Sequence, residues 1–382
     1  MIRTDGVIVF GTVALGLAML LSPRAAVGQA AAELAGPRCE IELHELGVAG
    51  PDLETDAISY QGMVAVDGRA GRLYTPNCSD DGVLVFSLDG RFIETIGSPG
   101  QGPGEFRDIR DLHVDAEGAL WVIDVGYVHL FEPDGELRRS IRFPGGVLAL
   151  PDIFHPISDG RILVREVDPM TRGLLGDRTG PVHLLEDWTE VGRAFGDPAR
   201  HSRERCRTCG FPQIAVAPDG GALWLLARDE YRIERHSLPD GGSPRVIEVS
   251  SIWFDEADVA PRVTPARDTV PRPWRYDIAV DADERLWVAG MKPAPGWRPV
   301  DQPRGLWTAE DGIRIREEMA AQSIFVVEAI DARSGEVLAR RELRGTQPHF
   351  GGSGRYLWSL SRSPVDLAQI RLREIELVCE GR

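Results

Sequence analysis

One pattern recurs along the chain and restricts its fold more than any other feature. It is a short apolar strand, a polar reversal often carrying Asp and Gly, then a second strand holding Leu-Trp or a similar pair. The copies read MVAVDGRAGRLY from Met63, DLHVDAEGALWV from Asp111, DIFHPISDGRILV from Asp152, QIAVAPDGGALWLL from Gln213, DIAVDADERLWVAG from Asp277 and, degenerate, HFGGSGRYLWSL from His349. Their starts lie about 40 to 75 residues apart, with long loops accounting for the longer intervals.

Each copy reads as two adjacent antiparallel strands. The first is small and β-branched, as crowding near a central axis demands, and the Asp/Gly reversal makes a tight turn. Trp121, Trp224, Trp287 and Trp358 fall at matching places in the second strand. A large aromatic repeated at one site is what sheets buried on both faces require. Further strand–turn–strand runs follow, most plainly VLVFSLDGRFIETIG from Val83 and VHLFEPDGELRRSIRF from Val128. Four strands per repeat is the composition of a propeller blade. The expected fold is therefore all-β, a six-bladed β-propeller forming one domain over residues 31–382. A length of 382 residues would otherwise suggest two or three domains.

The run TIGSPGQGPGEFRDIRDLHVDAEGALWVIDVGYVHLFEPDG, from Thr95, resembles an NHL-type repeat of the six-bladed propeller superfamily. Its Gly-Pro-Gly-Glu-Phe, residues 102 to 106, matches the link from one blade's outer strand to the next blade's inner strand. The resemblance is sequence-specific over the first two blades and architectural beyond them. It implies the fold and no single activity, because such propellers include both binding proteins and enzymes.

Both ends of the chain carry alternating strands, CEIELHELGV from Cys39 and QIRLREIELVC ending at Cys379. With the N-terminal strand as the outer strand of the last blade, the two run antiparallel. Cys39 and Cys379 then stand where a hairpin turn would otherwise join them, and a disulfide is expected. Cys206-Arg207-Thr208-Cys209 lacks the following His of a haem site and the second ligand pair of a zinc site. It reads as a local disulfide bracing a loop. Cys78 is left buried and free, or paired with one of these two.

The N-terminus reads as a targeting segment. Arg3 precedes the uncharged apolar stretch Gly6 to Leu21, and Gly28-Gln29-Ala30 fits a signal-peptidase site. Residues 1–30 are expected to be removed and the mature chain exported, periplasmic or secreted, without a membrane span. Acidic residues number 59 against 43 basic, a formal net charge of −16. That balance excludes affinity built on phosphate contacts, so no nucleic-acid partner is expected.

Candidate chemistry is sparse. When the repeats are aligned on their turns, His113 and His155 share one inner-strand position and His349 falls near it. Three neutral imidazoles with an open position would make a catalytic zinc site, and the NHL resemblance implies that axial histidines can serve in this way. The other copies carry Ala65, Ala215 and Ala279 there, so separate hydrogen-bonded histidines are the default reading. Asp67, Asp115 and Asp281 could suggest calcium but read as caps of the turns that follow them. No cofactor is therefore expected, zinc or calcium being the alternatives. The long insertions around blade 5 carry Trp274, Arg275, Tyr276, Trp297, Arg298, Arg304 and Trp307, residue types enriched at binding hot spots. The stretch Ala309 to Gln322 reads as a short amphipathic helix. The leading functional reading is a binding module of the cell envelope for a protein or small-molecule ligand. A metal-dependent lyase or hydrolase at the axial channel, and a structural scaffold, are the alternatives.

Overall fold

The computed structural model describes residues 39–379 apart from 51–56, 60–62, 80, 143–153, 158–160, 166–181, 187–189, 197–211, 228–230, 239–240, 252, 254–272, 301–308 and 366. The expected leader, the Cys206/Cys209 pair, Arg304 and Trp307 lie outside the described residues.

Six four-stranded antiparallel sheets form the blades of a propeller. Blade 1 comprises Ala65–Asp67, Arg72–Pro76, Val83–Ser87 and Phe92–Ile96; blade 2 comprises Ile109–Val114, Leu120–Asp124, Tyr127–Phe131 and Leu137–Arg142. Blade 3 is built from Phe154–Pro156, Ile162–Arg165, Val182–Glu186 and Glu190–Phe195, and blade 4 from Gln213–Val216, Ala222–Leu226, Arg232–Ser237 and Arg245–Glu248. Blade 5 contains Trp274–Val280, Arg285–Pro293, Ser323–Asp331 and Val337–Leu343. In blade 6, His349–Gly351, Tyr356–Arg362 and Ala368–Cys379 are completed by the N-terminal strand Cys39–Ala49.

The hydrophobic core is the set of seams between blades. Tyr74, Val85, Phe106, Leu120 and Val122 fill the seam of blades 1 and 2, and Trp121, Ile123, Ile162 and Val164 fill that of blades 2 and 3. Equivalent clusters occupy the remaining four seams. The ladders explain why the aromatic repeats. Tyr74, Trp121, Leu163, Trp224, Trp287 and Trp358 pair with Ala65, His113, His155, Ala215, Ala279 and His349. One register thus places a large side chain into each seam, and truncating such a Trp to Ala costs about 3–5 kcal/mol.

The Asp of the reversal has a second partner that period alone does not reveal. Asp115 accepts N–H bonds from Glu117 and Ala119 and, at 2.7 Å, from the Trp121 indole six residues on. Asp281 does the same for Asp283 and Arg285 and binds the Trp287 indole at 2.9 Å. The turns of blades 4 and 6 are one residue longer, with Ala217 and Gly351 at the corresponding place. There the Trp224 and Trp358 indole N–H groups have no hydrogen-bond partner among the described residues.

Cys39 and Cys379 are ladder partners and form the disulfide, with 4.1 Å between Cα atoms across a sequence separation of 340. The bond stands where the third and outer strands of the other blades are joined by a turn. Cys78 is free and exposed rather than buried, because it sits in the turn between the second and third strands of blade 1.

Two outcomes follow for stability. In the chain-entropy treatment a loop this long contributes about 5 kcal/mol as an upper figure, so Cys39→Ser should lower the urea midpoint and reduce its response to reductant. Asp281→Ala should cost about 2–3 kcal/mol by losing several charge-assisted hydrogen bonds at once. Asp219→Ala, which removes a cap on Gly221 alone among the described bonds, should cost under about 1 kcal/mol in the same denaturation assay.

Candidate functional site: the channel mouth

Strand direction separates the two ends of the ring. The strand ends joined by first-to-second and third-to-outer turns lie on one face, where short Asp/Gly reversals predominate among the described residues. The strand ends on either side of each second-to-third connection and of each step between blades lie on the opposite face, Pro293 and Ser323 among them. Inner strands begin on that face, so their first residues line the mouth of the axial channel there.

Two acids partway along the inner strands are built in the same way. Asp111 follows a bulge in the inner strand of blade 2, and Asp277 follows one in blade 5, which is diametrically opposite in a ring of six. Each uses Oδ1 to accept the next residue's N–H at 2.9 Å. Each presents Oδ2 to a histidine. Asp111 lies 2.9 Å from His113 Nε2; Asp277 lies 3.6 Å from His349 Nδ1 and accepts Phe350 N–H at 2.9 Å.

The three axial histidines share one ladder position, but the ring distributes them. His113 and His155 belong to adjacent blades, with ring centroids 5.1 Å apart. Burial, and then the neighbouring His113, push the His155 pKa down to about 3, so it is neutral at ordinary pH. His349 is in blade 6, across the ring from blade 3. It stacks on Trp358 at 4.6 Å and meets the Tyr276 ring edge-on at 5.4 Å. The three do not form a set with all ligand atoms within 4.8 Å of one another, so they do not fit a shared zinc centre. Among the described residues, the one set meeting that limit is Glu42, His44 and Glu376, exposed on the paired strands that close blade 6.

The blade 5 residues divide. Trp274 and Arg275 open its inner strand at the mouth. Tyr276 turns inward, 8% exposed, and its hydroxyl donates to the Pro348 carbonyl at 2.9 Å. Burial and the adjacent Asp277 hold its phenol well above the usual range. It is a packing residue beneath helix Ala309–Ala321, whose Met319 and Ala320 pack with Tyr276, Met291 and Phe325. Trp297 is half-buried and Arg298 exposed, the latter's N–H donating to Gln322 Oε1 at 2.7 Å.

Sequence reading missed a second set of polar positions. His129, His183, Glu234 and Glu328 stand opposite Val122, Val164, Leu225 and Val288, one ladder position in blades 2 to 5. All four are buried, each on the face turned to the preceding blade. Glu328 accepts bonds from Tyr231 and, at 2.8 Å each, from Ser251 and Arg340. Glu234 meets His236 and Arg232 at 3.2 Å each, and these partners, His236 foremost, lower its pKa to about 2. The available signal was a polar residue interrupting an apolar strand, as in VHLF, VHLLE and VVEAI.

A family model described as a six-bladed β-propeller, DUF5128, matches residues 53–143. The fold is that propeller. No curated protein matches the chain by sequence. Among solved structures, a member of the DUF4221 family from Bacteroides vulgatus superposes with a TM-score of 0.57 at 13% identity, covering 90% of this chain and 99% of that one. A candidate exported protein from Bacteroides fragilis gives 0.52 at 11% identity, covering 89% and 96%. At such identities the likeness is one of fold.

The buried groups set an acid profile. The folded-state pKa of His155 lies below its ordinary 6.5, so the unfolded chain takes the proton first; its contribution is complete above pH 6.5 and lost as pH falls towards about 3. That of Glu234 is complete above about 4.5 and lost as pH falls towards about 2. Urea midpoints measured from pH 8 to 3 should therefore fall less steeply below 6.5 in His155→Leu, and less steeply below 4.5 in Glu234→Gln.

Proposed function

We propose that the chain is an exported binding module of the cell envelope, with propeller repeats of the NHL type, that takes its ligand at the channel mouth. The observation that carries this reading is the segregation of features. The strand ends that carry the long connections lie on one face, and the paired acids Asp111 and Asp277 and the half-buried His113 and His349 stand deeper along the inner strands. The opposite face offers mainly short turns. Grooves lined by a few convergent polar groups and framed by variable loops are where rigid scaffolds bind ligands. Export is supported by the leader-like first 30 residues and by a disulfide, a bond that persists in oxidising compartments. Among the described residues no helix is long and apolar enough to cross a membrane.

A metal-dependent lyase or hydrolase is the second reading, and the contact of His113 with His155 favours it. The two part in one experiment. A library of cell-envelope small molecules, with divalent metals, is screened by thermal shift against the wild type and a His113→Ala, His349→Ala double variant, alongside elemental analysis of both. Ligands that raise the wild-type Tm and leave the variant unmoved support the binding module. Near-stoichiometric metal lost from the variant supports the enzyme reading. Ligands stabilising both proteins equally, with metal in neither, would remove the channel mouth from consideration.

A further inference from the structure

The link from blade 1 to blade 2 is fastened at two points. Asp124 Oδ1 accepts the N–H groups of Arg107 and Asp108 at 3.2 and 2.8 Å. On the other side of Phe106, which is fully buried in the seam, the Gly104 N–H donates to Nδ1 of His129 at 3.3 Å. The Ser140 hydroxyl lies 2.8 Å from the same nitrogen. An amide N–H can only donate, so Nδ1 is the bare nitrogen of a neutral ring and Nε2 bears the proton. Nε2 is buried and meets no acceptor among the described residues. The residue is 1% exposed, with Phe106 edge-on at 5.2 Å and Tyr127 stacked at 5.8 Å.

We propose that His129 is an acid-released latch on the Gly-Pro-Gly-Glu-Phe link. While neutral it holds Gly104 and keeps the link in the seam. A second proton converts Nδ1 from acceptor to donor, turns it against the Gly104 N–H and leaves a cation in an apolar seam, so the link lets go. The groups around the ring set the balance. Burial opposes the proton and Asp124 favours it, the net pKa lying below the ordinary value. Across the seam, blade 1 presents Tyr74 and the Arg72–Glu94 ion pair. In the link, Glu105 is occupied by the Gln101 and Gly102 N–H groups at 2.8 Å each. On the outer strand, Arg138 and Arg142 flank Ser140 and point to solvent. The other buried residues at this ladder position face different seams.

The link itself has little freedom to adjust while latched. Gly97 has φ +80°, and a Cβ there would lie 2.1 Å from the Phe106 ring. The link runs into Ile109–Val114, so its release moves the approach to Asp111 and His113. The latch thus couples external pH to the channel mouth, whatever the mouth binds.

Hydrogen exchange of the full chain, read by mass spectrometry from pH 8 to 4 and corrected for intrinsic rates, tests this. In the wild type, peptides spanning 97–108 should exchange at least about tenfold faster below the ordinary histidine pKa. Peptides from Cys39–Ala49 and Ser323–Asp331 should hold their protection over the same interval. His129→Asn keeps an acceptor near Gly104 and cannot become a cation, so its link should stay protected. Asp124→Asn keeps the caps on Arg107 and Asp108 while removing the charge that draws the proton, and should move release to lower pH. The latch is overturned if link and reference peptides open together, if the His129→Asn link opens at the wild-type pH, or if Asp124→Asn leaves the release pH unmoved.

Discussion

Pairing of Cys39–Ala49 with Ala368–Cys379 joins segments whose cysteines are 340 positions apart, and the ring depends on that contact. A blade buries both of its faces, so an open array would expose one apolar face at each end. Closure removes both faces at once, and the disulfide fixes the register at the far end of the pairing. The same strand abuts blade 1 so closely that a Cβ at Gly47 would fall 2.3 Å from the Asp89 backbone. The last blade is therefore tied to its own outer strand and to the first blade by one segment.

Closure also gives the molecule its polarity. Because each inner strand starts on the same face, the chain must return there between blades and between its second and third strands. Insertions can lengthen on that face without disturbing a seam, whereas the short turns of the other face tie adjacent strands. The helix Ala309–Ala321 shows how such an insertion docks: Ile315 is buried, Met319 packs over blade 5, and Glu317 reaches Arg362 of blade 6 at 2.6 Å.

The seams are not uniformly apolar, and their polar members carry obligations. Glu328 is shielded from solvent with Arg340, Ser251 and Tyr231 around it, so removing one partner would strand a buried charge. His129 is less fully served, with one nitrogen satisfied and the other without a partner among the described residues. A buried group in that condition is held by its surroundings rather than holding them, which makes it sensitive to a proton.

The amino-acid order by itself determined the blade. Alternation, Asp/Gly reversals and the recurring Leu-Trp specify strand, turn and buried face locally, and six copies with matched terminal strands specify the ring and its disulfide. It also placed His113 and His155 in one register with His349 near it, since a ladder position is a local property. Which of these histidines meet was decided by the ring: adjacent blades brought His113 to His155, and the blade order put His349 beside Tyr276 and Asp277 instead. The inward turn of Tyr276 and the buried position shared by His129 and Glu328 became visible only when the seams closed. Each depends on a neighbour distant in sequence, and no local period records which residues such a seam will press together.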